Sequence, residues 1–249
     1  MFQKENLRVV RKLIRSLSFE LRAFKNNSPE VLQFIEELDN VNFSLTHSET
    51  SAINLSNKIK TLLKSSYSDV SQYQINSLTI EKIENFNWLN IYNGIKSNKS
   101  HIDGMFASRL LGLDGYYVSN RISIGLMLIL PGVIYPFHTH SVKEFYYCLS
   151  GKLFIQHDID GEMFSLGEGE ISITPEGTLH SLEVIGNRPV LLIYSWLGDL
   201  HAPIRIWQKI NVNRWEGYKW RRLPGQKWKK SDIKQLSNKA FFDEFGNYS

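Results

Sequence analysis

The sequence predicts a mainly β protein: an antiparallel barrel or sandwich behind an α-helical N-terminal region. Two observations predict it. Over roughly the first hundred residues, apolar side chains recur at helical spacing. From about residue 105 to about Leu197 the pattern changes to short apolar or alternating runs broken by Gly, Pro, Asn and Asp. The size agrees: 249 residues, 42% hydrophobic and 22% charged, are enough for one good-sized domain, or one domain with a helical appendage.

In chain order, Leu7, Val10, Ile14, Leu17 and Leu21 form one helical stripe, with Arg8, Arg11, Lys12, Arg15 and Arg22 largely on the other faces. Asn26-Asn27-Ser28 breaks this helix. Ser28-Pro29-Glu30 starts the next: Ser28 suits the cap, Pro29 the first helical position, and Glu30 the positive end of the dipole. Val31, Phe34, Ile35 and Leu38 are its expected buried face. A third helix is expected over Ser51 to Leu63, with Ile53, Ile59, Leu62 and Leu63 inward. A polar loop follows over Lys64 to Gln74, and a fourth helix over Ile80 to Ile95.

The expected strands are Tyr116–Val118, Ile122–Leu130, Glu144–Leu149, Lys152–His157, Glu170–Thr174, Ser181–Val184 and Val190–Trp196. The last fifty residues are mixed, with Trp207, Trp215, Trp220 and Trp228 among many basic residues. The expected organisation is a helical region over 1–104, a barrel over 105–210, and a basic, Trp-rich segment over 211–249 that packs on the barrel.

Composition excludes several classes. One cysteine, Cys148, rules out an internal disulfide and a cysteine-rich zinc module. The longest apolar candidate, Ile122 to Tyr135, is broken by Pro131 and Gly132, so no membrane span is expected. The N-terminus runs directly into charged helical sequence, so a cytoplasmic location is expected. A net charge of +4 is too mild to argue for nucleic acid, and the N-terminal region lacks a basic recognition helix.

The chemistry is concentrated in Gly132 to Gly151, GVIYPFHTHSVKEFYYCLSG. His138 and His140 are two apart, so on a strand both imidazoles face one side. Glu144 follows after a tripeptide that serves as a turn. A second segment, Gly169 to His180, adds another imidazole beyond Pro175-Glu176-Gly177. Three imidazoles and a carboxylate make a borderline N/O donor set that suits one Zn, Fe, Mn, Ni or Co ion rather than Ca or Mg.

These two segments are similar to the paired motifs of the cupin superfamily. The first reads G-x5-H-x-H-x3-E-x6-G from Gly132 to Gly151, and the second G-x5-P-x-G-x2-H from Gly169 to His180. Val184 stands where the family's second motif usually has Asn, a departure that touches packing more than ligation. The resemblance implies a cupin (jelly-roll) β-barrel with His138, His140, Glu144 and His180 as metal ligands. Tyr135, Tyr146 and the strand ending Trp196-Leu-Gly-Asp narrow it further: they resemble the cupin-type dimethylsulfoniopropionate (DMSP) lyases over roughly Tyr116 to Trp207.

That resemblance implies a carbon–sulfur lyase that eliminates dimethyl sulfide from DMSP and leaves acrylate. Tyr146 would be the base, Tyr135 would orient substrate, and the protein would be a homodimer. A sulfonium prefers aromatic faces; Tyr194 and Trp196, which share strand parity, are candidates, with Trp207 as a third. Two other readings stay open. One is a cupin isomerase, oxygenase or other lyase acting on a different small carboxylate or sugar. The other is a ligand-sensing regulator. Cys148, His157 and His201 read as structural or exposed residues.

Overall fold

Apolar residues three and four apart build two helices, α1 (Phe2–Leu21) and α2 (Glu30–Asp39). The computed structural model describes residues 2–26, 28–45, 55–57, 59–61, 75, 86–91, 104–221 and 229–246. Val10, Leu13, Ile14, Leu17 and Leu21 are buried along α1; Val31, Phe34, Ile35 and Leu38 are buried along α2. The start of α2 differs from the expected cap. Pro29 has helical dihedrals, and the Ser28 hydroxyl donates to the Glu30 carboxylate instead of accepting from the backbone.

The helix expected over Ser51 to Leu63 is met by helical backbone at Asn57 and Ile59–Thr61; its remaining inward positions, Ile53, Leu62 and Leu63, lie outside the described residues. So does the loop expected over Lys64 to Gln74. The helix expected over Ile80 to Ile95 is corrected where it is described. Leu89–Asn90 form a short strand, β1, paired antiparallel with Ala107 and Phe106. Pairing with a strand distant in sequence overrides the local helical pattern there.

The chain then builds two seven-stranded sheets. The first contains β1, β2 (Met105–Gly112), β4 (Ile122–Ile129), β11 (Val190–Gly198), β6 (Val142–Ser150) and β9 (Ile171–Thr174), in that order. The short β3 (Tyr117–Val118) runs parallel to β2. The second contains β14 (Lys229–Ser237), β13 (Arg214–Arg221), β12 (Ile204–Asn211), β5 (Ile134–Thr139), β10 (His180–Glu183), β7 (Lys152–His157) and β8 (Met163–Gly167). Apart from β2–β3, the paired strands are antiparallel. This is a two-sheet jelly roll.

The two faces of the first sheet explain its continuous apolar runs. Tyr146, Cys148, Leu192 and Met127 point inward and meet Tyr135, Ile155, Leu182 and Ile206 of the second sheet. Phe145, Tyr147, Leu149 and Ile193 point outward and meet α1 and α2. The helices therefore cover the outer face of this sheet. Val184 packs in the interior cluster, in keeping with a packing role at the departed motif position.

The Phe34 ring meets Phe145 edge-to-face at 4.8 Å, and both are almost fully buried. The contact sits directly behind the strand that carries Glu144 and Tyr146. Phe34→Ala should cost about 3–5 kcal/mol of stability. Urea denaturation would register it as a lower midpoint with little change in slope.

On the outer face of the second sheet, Trp207 and Trp215 pack with Leu179 and Phe241. Phe241 comes from α3 (Asn238–Phe245) and stacks on Trp215 at 4.0 Å.

Candidate metal centre and reaction cavity

The turn after His140 brings two sheets to one point. His138 lies on β5 directly opposite His180 on β10. His140 follows immediately after β5, and Glu144 projects inward from β6 in the facing sheet. The Gly177 N–H donates to the His140 carbonyl at 2.9 Å, which ties the second motif segment to the first. Gly177 has φ +75°, a left-handed conformation that glycine adopts without strain.

His138, His140, Glu144 and His180 are all buried, and one donor atom from each lies within 4.8 Å of the others. Each imidazole is held by its Nδ1, which donates to a backbone carbonyl: Pro136 at 2.9 Å, Val142 at 3.0 Å and Thr178 at 3.0 Å. That assignment leaves three Nε2 lone pairs facing the centre. The Nε2 of His140 then stands 2.9 Å from Glu144 Oε2, and that of His180 3.3 Å from the same oxygen. His180 Nε2 is buried without a hydrogen-bond partner. Lone pairs aimed at a carboxylate repel unless a cation lies between them, so the donor set fits a borderline divalent metal.

Burial pushes His138 well below the ordinary imidazole value, and the closeness of the His180 and His140 imidazoles adds to the effect. Neutral imidazole is the ligating form. Burial alone would raise the Glu144 carboxyl. With the site metal-free, the adjacent His140 and His180 in their protonated forms would outweigh it and hold the group well below the usual carboxylate range. A depressed carboxyl contributes stability above its unfolded value and loses it as pH falls through the native one. Glu144 is thus an ionised donor at neutral pH.

Trp196 Nε1 donates to Glu144 Oε1 at 2.7 Å, leaving Oε2 turned to the imidazoles. A partner that orients a ligand typically matters 10–100-fold in metal affinity, so Trp196→Phe should weaken metal binding by about that factor. A competitive chelator titration measures it.

The cluster opens into a cavity of about 140 Å³. His138, Glu144, Tyr135, Tyr146, Tyr194 and Trp196 all line it, beside apolar Met105, Ala107 and Met127. Tyr135 stacks on His138 with ring centroids 3.9 Å apart. Tyr146 is almost fully buried, paired in register with Tyr194 on one side and Ser172 on the other. The Tyr194 ring lies over Gly125, where an added Cβ would stand 2.4 Å from it. The close approach therefore requires glycine.

Trp207, expected at the cavity, is elsewhere. Ile204 and Ile206 take the inward positions of β12, and strand alternation turns Trp207 to the outer face. It contacts Phe241 edge-to-face at 5.2 Å. Cys148 is buried in the interior, and its thiol is pushed up to about 12 by burial, which makes it a poor nucleophile. His157 contacts Thr174 Oγ1 at 3.1 Å through Nε2, and His201 is exposed.

Sequence reasoning missed two cavity residues, Arg109 on β2 and Asp114 in the turn after it, which are ion-paired. A lone charge inside the apolar run MFASRLLG was the available signal.

The DMSP lyase family model matches residues 54–192. The DMSP lyase DddQ of Ruegeria pomeroyi is 28% identical over 119 residues, 47% of this chain and 58% of DddQ. A gentisate 1,2-dioxygenase of a Ralstonia species is 31% identical over 93 residues, 37% of this chain and 25% of that protein. The chain thus matches less than two thirds of the length of these curated relatives. Among solved structures, that of DddQ from R. pomeroyi is similar with a TM-score of 0.57 at 22% identity, covering 78% of this chain and 95% of DddQ. A structure from work on the DMSP lyases RdDddP and RnDddQII has a TM-score of 0.59 at 18% identity, covering 80% of this chain and 100% of that one. At these identities the structures speak to the fold. No helix among the described residues is long and apolar enough to cross a membrane.

Proposed function

The chain belongs to the DMSP lyase family, and on that premise we propose that it is a metal-dependent carbon–sulfur lyase. Its substrate is DMSP and its products are acrylate and dimethyl sulfide. His138, His140, Glu144 and His180 would hold one divalent transition metal, which would supply a Lewis acid for the charge that develops at the substrate's carboxylate end.

Tyr146 takes the proton from the carbon next to the carboxylate. The pair from that C–H bond becomes the new C=C bond. The C–S bond breaks, its electrons stay on sulfur, and neutral dimethyl sulfide leaves. The proton remains on the Tyr146 oxygen until solvent removes it. A phenol at its unperturbed pKa of about 10 is a weak base. A cation nearby favours its ionised form. Tyr135, packed on His138, orients the substrate, and the faces of Tyr194 and Trp196 suit the sulfonium. The apolar wall keeps water from the reacting carbon.

The observation that carries this reading is the position of Tyr146: one residue beyond Phe145 on the strand of Glu144, buried, and on the wall of the cavity into which the four-ligand cluster opens. Headspace chromatography of the metal-loaded protein with DMSP tests it. Dimethyl sulfide and acrylate should form in equal amounts, stop on chelation and resume when metal is restored. The similarity to a gentisate 1,2-dioxygenase keeps an oxygenase as the second reading. Oxygen consumption with another substrate, and no dimethyl sulfide, would favour it.

A further inference from the structure

Arg109 sits where a structural ion pair alone does not account for it. It lies on the inward face of β2, beside Met105 and Ala107, as the one charged residue of that strand. Its side chain is 16% exposed and lines the reaction cavity. Burying a guanidinium calls for its N–H groups to be matched, and it carries five of them in a planar fork. Among the described residues, one of its nitrogens donates to Asp114 Oδ2, and that carboxylate is its one hydrogen-bonding partner.

The backbone around the pair is built to hold it there. The β2–β4 register shifts between Arg109 and Leu111, an irregularity of the kind that re-aims a side chain. The turn that follows brings Asp114, itself 7% exposed, back onto the guanidinium five residues earlier in the chain. Across the sheet, Arg109 is level with Gly125, then Tyr194, Tyr146 and Ser172. The absence of a side chain at Gly125 lets the Tyr194 phenol extend over β4 toward β2. The Arg109 and Tyr146 backbones are three strand spacings apart, on the order of 14 Å, with both side chains directed into the same space.

We propose that Arg109, fixed by Asp114, is a specificity-determining residue that binds a carboxylate in the cavity through its remaining N–H donors. A guanidinium fork matches a carboxylate in two parallel hydrogen bonds, which a lysine cannot reproduce. The assignment deepens the lyase reading by giving the chain a hold on carboxylate anions that does not depend on metal. The carboxylate has two possible sources: the one next to the reacting carbon, or a second one on a longer substrate.

The test separates this from the lyase reading by measuring binding without turnover. Propionate and succinate are titrated by ligand-observed NMR against the full chain, both metal-free and metal-loaded. The variants are Arg109→Lys and the double replacement Arg109→Gln/Asp114→Asn, which leaves no buried charge unpaired. A thermal melt checks that each is folded. Propionate affinity of the metal-free protein should fall by about 10–100-fold in the double variant and by less in Arg109→Lys. If the carboxylate is the one next to the reacting carbon, KM for DMSP in the metal-loaded enzyme should rise by a similar factor, with kcat within about threefold. Succinate binding at least about tenfold tighter than propionate would point to a second carboxylate; equal binding would point to the reacting one. Unchanged propionate affinity in the folded double variant would overturn the proposal and leave Arg109 as a structural partner of Asp114. If wild-type protein binds propionate through Arg109 but releases no dimethyl sulfide from DMSP, the lyase reading fails while this assignment stands.

Discussion

Tyr146→Phe is expected to lower dimethyl sulfide release by about 10²–10⁴-fold, the usual range for losing a positioned acid–base group. Only the phenolic oxygen is removed. The ring stays in an almost fully buried position between Tyr194 and Ser172 of the neighbouring strands, and phenylalanine conserves its shape. The four proposed ligands are other residues, so metal content should remain at the wild-type level. Headspace chromatography and elemental analysis of the same sample read both quantities. A rate within about threefold of wild type, at equal metal content, would remove Tyr146 from the mechanism.

The second large effect is expected for His180→Ala. His180 is fully buried, its ring centroid lies 3.9 Å from that of His138, and its Nε2 is turned to the centre. Alanine removes one of three nitrogen donors and leaves Glu144 with two imidazoles. Metal affinity should fall by more than about 100-fold, beyond the range for losing a partner that merely orients a ligand. Dimethyl sulfide release should fall to background. Stability gives an independent readout. A ligand at 100 times its Kd stabilises the native state by about 2.7 kcal/mol, so wild type should melt higher with metal than after chelation. The variant should melt at the same temperature in both conditions. A variant that keeps one tightly held ion and its activity would contradict the assignment of His180.

Much of the fold and candidate site was legible because both rest on short-range spacing. The His138–His140 interval and strand alternation put two imidazoles on one side, and the two motif segments carry the turns that bring His180 and Glu144 to them. Tyr146 came from the resemblance to the DMSP lyases, and Tyr194 and Trp196 from the aromatic faces its sulfonium substrate calls for together with their shared parity; all three line the cavity. Parity also shows why Trp207, offered as a third aromatic face, lies outside the cavity: its register beside inward Ile206 sends it outward.

Other features depend on partners distant in sequence. β2 is buried on both faces, so it lacks the alternation that marks a half-exposed strand, and Arg109 went unread with it. The short β1 exists because β2 offers it an edge. β14, KKSDIKQLS, is polar and mostly exposed along its length; its pairing with β13, rather than its own pattern, makes it a strand. The placement of α1 and α2 on the outer face of a sheet follows from Phe145, Tyr147 and Leu149, whose outward burial no local pattern announces.

An anomalous difference map from crystals of the metal-loaded chain, collected at the metal's absorption edge, tests the centre on which all of this depends. The account predicts a single strong peak in the barrel, about 2.0–2.2 Å from the Nε2 atoms of His138, His140 and His180 and from a Glu144 oxygen, with the Tyr146 hydroxyl facing its open side. No peak at that point, or an ion held by other residues, would contradict it.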